Sequence, residues 1–106
     1  MTDTTTQRIM ELQSRLRIRL AELGFEGVAA SNVVHHLAEI AGLTHDLAES
    51  SLPLLVELSP AHTQAVTDVV AHIKRDLDEI KDAIQDMEPD FTEFLRFLQK
   101  KEVSES

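Results

Sequence analysis

Seven apolar residues in the second half of the chain, Val66, Val70, Ile73, Leu77, Ile80, Ile84 and Met87, recur at alternating spacings of four and three. This is a heptad seam three repeats long, the pattern of a helix that packs lengthwise against other helices. At 1.5 Å per residue it runs for about 30 Å. The same spacing continues formally through Phe91, Phe94 and Leu98, with Pro89 interposed. A proline inside a helix loses a hydrogen bond and clashes with the preceding turn at a cost of about 3 kcal/mol. The seam therefore predicts a long third helix that ends near Pro89, followed by a short aromatic C-terminal helix.

The rest of the chain reads the same way. Ile9, Leu12, Leu16, Leu20 and Leu23 share one face of a first helix over about 5–23, and Gly24 and Gly27 mark its stop and turn. A second helix is expected from Ser31 or Asn32, either a good N-cap, to about Glu49. Its apolar face is Val33, Val34, Leu37, Ile40, Ala41 and Leu47, with Gly42 inside it. Pro53 and Pro60 bracket a short apolar piece, and Ser59–Pro60 has the form of an N-cap followed by proline at the first helical position. Glycine and proline number three each, and long stretches are rich in Ala, Leu, Glu and Asp, which leaves no case for strands. The expectation is an all-α, four-helix up-down bundle, one domain over 1–106 with frayed ends at 1–4 and 102–106.

Charge narrows the partners. The net charge of −9 repels nucleic acid and anionic membrane surfaces. Arg8, Arg15, Arg17 and Arg19 concentrate four of the ten basic residues in the first helix, too few cations and no stacking aromatics for a nucleic-acid groove. With no cysteine, disulfides and thiolate metal sites are excluded. No run approaches the roughly 20 apolar residues of a membrane span. The opening MTDTTTQRIM is polar without an apolar signal core, so the expectation is a cytoplasmic protein.

The stretch NVVHHLAEIAGLTHD, residues 32–46, carries three histidines among acids. On a helical wheel His35, Glu39 and Asp46 fall away from the apolar stripe, His36 at one edge and His45 near the other. The expectation is a surface pair between His35 and Glu39 rather than a converging metal site. Zinc would need His36 together with His62 or His72 from the third helix. VVHHLAEIAG loosely resembles the central helix of histidine phosphotransfer domains. That family carries a phosphate-stabilising lysine three residues after its histidine, where this chain has Glu39 or Ala38. Asp46-x-x-Glu49 and Glu79-x-x-Asp82 resemble the paired acids with which all-α nucleoside triphosphate pyrophosphohydrolases of the MazG type hold Mg²⁺. Here Asp replaces Glu in the first pair.

Asp78, Asp82 and Asp86 are spaced by four opposite the seam and predict a solvated acidic face open to a basic partner. Ile18 points away from its helix's core face. Phe91, Phe94, Leu95, Phe97 and Leu98 cover more of the last helix than capping a bundle requires. These residues predict a homodimer without cofactor or catalytic site, a small regulatory or accessory protein acting through protein–protein contacts. The Mg²⁺-dependent phosphohydrolase is the competing class, and the phosphotransfer domain stands behind it.

Overall fold

The structure is a computed structural model in which residues 3–105 are described, their side chains over 6–103. All regular structure among them is helical. The elements are α1 (Asp3–Glu22), α2 (Val28–Asp46), a π-helical turn (Leu47–Ser51), α3 (Leu52–Glu57) and α4 (Thr63–Glu105). The π-turn joins α2 to α3 without a break, so the chain forms three helical rods, not the four-helix bundle expected. The ends expected to fray lie partly outside the described residues, and within them α1 begins at Asp3 and α4 runs to Glu105.

The fourth helix is missing because Pro89 does not end the third. α4 continues through it for 43 residues, about 64 Å. Contacts on both sides of the proline hold the rod in one piece. Before it, Met87 is buried in the core; after it, Asp90 accepts a hydrogen bond from Asn32 Nδ2 at 3.0 Å, and Phe94 stacks on Phe25 with ring centroids 4.7 Å apart. An aromatic stack in a packed core and a cross-helix hydrogen bond together outweigh the lost backbone bond.

The α1–α2 turn shows how the sequence ends a helix. Gly24 adopts φ +92°, Gly24 N–H donates to Ala21 O and Phe25 N–H donates to Leu20 O, each at 2.9 Å. This is a Schellman closure with glycine at the left-handed position and its customary apolar contact, here Leu20 with Phe25, both buried in the core cluster. α2 then begins at Val28, earlier than the Ser31 or Asn32 start expected. Gly27 occupies the cap position at φ +99°, and Asn32 is spent on Asp90. At the other loop, Ser59 caps a turn rather than α4: its Oγ accepts from Ala61 N–H at 3.3 Å, and the helix starts at Thr63.

α2 is the central rod, packed against α1 on one side and α4 on the other. Gly42 permits the first contact, since a Cβ there would stand 3.1 Å from Ile9 Cδ1. Val33 and Val34 are fully buried, and Leu20, Phe25, Ala30 and Met87 complete the cluster around them. Leu16, Leu37, Ile40, Phe94 and Phe97 pack against its edge. The α1 and α4 backbones do not close on each other. The molecule is correspondingly long, 61 × 28 × 24 Å, with a radius of gyration of 17.9 Å against about 13 Å for a compact chain of this length.

The seam of α4 is turned from the expected register. The line facing α2 is Ile73, Asp76, Ile80, Ala83, Met87, Asp90 and Phe94, each buried or half-buried. Val70, Leu77, Ile84 and Phe91, placed in the seam by spacing, lie along its outer edge in solvent.

Candidate functional site

Two features of α4 have no counterpart in ordinary core packing: a buried carboxylate, and the apolar stripe beside it.

Asp76 sits between Ile73 and Ile80 on the inward line of α4, opposite the end of α2. Its side chain is only 6% exposed. Oδ2 is buried and makes no hydrogen bond. Two groups face it. His72, one turn earlier, brings Nε2 to 3.5 Å from Asp76 Oδ2. Asp46, the last residue of α2, brings Oδ2 to 3.1 Å from the same His72 Nε2. The ligating atoms of the three residues all lie within 4.8 Å of one another. Burial pushes the Asp76 carboxyl above the ordinary carboxylate range, and the neighbouring Asp46 raises it further. Asp46 moves down, because hydrogen bonding to Asp76 and then to His72 favours its charged form.

The backbone at this corner is irregular. Directly after Asp46 the helix widens into the π-turn, where Leu52 N–H donates to Leu47 O, five residues back. Pro53 has no N–H to give to the turn before it, and the wider spacing brings Ser51 into the interior. Single π-turns within helices occur frequently at functional sites.

The histidine-rich stretch arranges itself differently from the expectation. His36, half-buried, pairs with Glu39 through Nδ1 at 3.2 Å, while His35 meets His36 edge to face at 5.1 Å. His35 is not Glu39's partner. His36 and His62 are not brought together, whereas His72 reaches Asp46, which the wheel had placed on the outer face.

The acid pairs are not brought together as a carboxylate cage. Asp46 turns inward to α4, and Glu49, Glu79 and Asp82 remain exposed. Asp78, Asp82 and Asp86 occupy the outer face as expected, with Lys74 Nζ donating to Asp78 at 2.8 Å. Charge alone does not separate Asp76 from the outward acids of α4. The signal that singles it out is its position three after Ile73 and four before Ile80.

Of the aromatic residues expected at a contact surface, Phe94 and Phe97 are half-buried and pack against the core. Both stack around Phe25, at 4.7 and 5.7 Å, and Phe97 closes over Gly24. Phe91 stays at the surface, edge to face with Phe94 at 6.4 Å. Ile18 is exposed, as expected. Val70, Leu77 and Ile84, which the spacing puts in the seam, join Phe91 and Leu95 in a larger surface, between 40% and 52% exposed along one edge of α4. A cleft of about 220 Å³ beside the α1–α2 turn, lined by Leu20, Phe25, Ala30 and Val34 among others, is smaller than the roughly 300 Å³ at which ligand pockets begin. No described helix is long and apolar enough to cross a membrane.

Comparison with protein-family models, curated proteins and solved structures gives no match, so the functional reading rests on this chain's own residues.

Proposed function

We propose that this protein acts by assembly: two copies pair along α4, and the paired α2–α4 rods form the surface through which a regulatory or accessory role is exercised, without catalysis. The observation that carries the reading is the stripe Val70, Leu77, Ile84 and Phe91. Residues seven apart on a 43-residue helix stay in line along its length, which is the geometry of a helix–helix seam with one side missing. In the register of this seam, Ile73, Ile80, Met87 and Phe94 already pack on α2, and the stripe takes the position of the second partner.

Area and charge favour a second copy as the occupant. The chain exposes 7683 Å², against about 5,900 Å² for a compact monomer of this size. The excess of about 1,700 Å² lies within the range that one partner of an obligate dimer buries. Antiparallel pairing about Ile84 sets Leu77 toward Phe91 of a second copy and Lys81 toward its Glu88. The like-charged strip of Asp78, Asp82 and Asp86 stays on the outside, where mutual repulsion is screened.

Sedimentation velocity of the purified chain tests this. A dimer is expected, and Leu77→Asp with Ile84→Asp should give a folded, helical monomer. A wild-type monomer at tens of micromolar overturns the reading.

A further inference from the structure

We propose that Asp46, His72 and Asp76 form a binding site for a divalent transition-metal ion, with zinc the best match to the donor set. The inference is independent of assembly, since none of the three residues belongs to the α4 stripe.

The donors define the class of ion. One imidazole nitrogen and two carboxylate oxygens suit Zn²⁺, Co²⁺ or Mn²⁺, whereas Mg²⁺ and Ca²⁺ prefer oxygen alone. Spacing fits as well. Tetrahedral zinc with bonds of 2.0–2.2 Å sets its ligand atoms about 3.4 Å apart. His72 Nε2 stands 3.1 Å from Asp46 Oδ2 and 3.5 Å from Asp76 Oδ2. Asp46 and His72 lie on two rigid helices, and His72 and Asp76 are one turn apart on the same helix, so each side chain reaches the cluster from a fixed backbone.

The orphaned oxygen of Asp76 distinguishes this cluster from an ordinary surface acid group. Asp46 hydrogen-bonds to the Asp76 carboxyl and to His72, which leaves one Asp76 oxygen over. Asp76 Oδ2 is buried without a hydrogen bond, and leaving such an acceptor unmet is costly. An ion beside His72 would meet it. His72 and Asp46 are 46% and 41% exposed, so solvent reaches the opposite side and can complete the shell with water. Three protein ligands with one open position is the arrangement of accessible zinc sites rather than closed structural ones. The His35–His36–Glu39 group has a comparable donor set, but it is mostly solvent-exposed and has no orphaned buried acceptor.

The test is titration of chelator-treated protein with ZnCl₂, read by calorimetry and native mass spectrometry, and with CoCl₂, read by visible absorption. One ion per chain is expected, with the strong absorption of four-coordinate Co²⁺ and a rise in melting temperature of about 5 °C at saturation. His72→Ala and Asp76→Asn should each weaken binding at least tenfold, while His36→Ala leaves it unchanged. In the wild-type protein, zinc should displace the His72 ring ¹⁵N resonances, a readout that does not depend on any variant folding. Absence of binding at 100-fold excess overturns the proposal. So does binding that survives His72→Ala and Asp76→Asn but is lost in His36→Ala.

Discussion

Phe25, in the turn after α1, stacks on Phe94, five residues beyond Pro89, with ring centroids 4.7 Å apart and planes inclined by 27°. This pair ties the C-terminal part of α4 to the opposite end of the molecule's sequence. It also changes what a substitution at position 94 should do. Phe94→Ala is expected to destabilise the fold by about 3 kcal/mol, the lower end of the range for removing a packed phenylalanine. Phe91→Ala should leave intrachain stability nearly unchanged and weaken association. Urea denaturation at fixed protein concentration, beside sedimentation of both variants, separates the two effects.

Pro89 is a helix-interior proline held in place by contacts on either side. Replacing it with alanine restores the bond from residue 89 to the Gln85 carbonyl and removes the ring's clash with it. Pro89→Ala should therefore stabilise the protein by about 2 kcal/mol, part of the full proline penalty. A loss of stability would show that the rod depends on a bend at this point. Thermal melts followed by circular dichroism decide it.

Gly24 has both a conformational and a steric reason to be glycine. Its φ of +92° lies where other residues are strained, and a Cβ would stand 3.3 Å from Phe97 Cζ. Gly24→Ala should cost about 1–2 kcal/mol, whereas the same change at a strain-free site stabilises. The Lys101 Nζ bond to Leu23 O, 2.9 Å long, should loosen with it. Faster amide exchange over 20–25 would report the opened turn.

In metal-free protein, Asp76 works against folding at neutral pH. Its folded carboxyl titrates above the ordinary value of 3.8, raised first by burial and then by Asp46. The folded state thus prefers the proton more than the unfolded state does. The stabilising contribution is complete below pH 3.8 and declines as pH rises through the higher folded value. Asp76→Asn removes that decline and supplies an amide donor toward Asp46. The variant should exceed the wild type by about 1 kcal/mol at pH 7, the low end of the cost of an unmet buried acceptor, and converge on it at low pH. Denaturation at several pH values with chelator present checks the sign. A destabilised Asp76→Asn at pH 7 would mark Asp76 as an ordinary structural partner.

Much of this architecture was legible in the residues. Ile9, Leu16 and Leu20 do line the packed side of α1, Gly24 does end it, and Val33 and Val34 are the centre of the core. What spacing could not supply was phase. A heptad run covers a broad face of a helix, and its residues alone do not say which edge of that face meets a neighbour. Ala83 and Asp76 carry little hydrophobic signal, yet they face α2 because the rods approach closely there. Val70 and Leu77 carry a strong one and are left outside. The proline was weighted as a local penalty, whereas the contacts that outweigh it come from Asn32 and Phe25, far away in sequence. Asp46 was misplaced for a related reason: the helical wheel treats α2 as an isolated cylinder, and the element that meets Asp46 is the start of α4.

The continuity of α4 gives the molecule a torsion bar. Asp76 and Phe94 are eighteen residues apart, five turns at 3.6 residues each and about 27 Å along the axis, so both project toward the same side. A hinge at Pro89 would let one end turn without the other. In an unbroken rod, any twist imposed where His72 and Asp76 meet α2 arrives at the aromatic stack as rotation of the same sense, and the two ends of the protein keep a common angular setting.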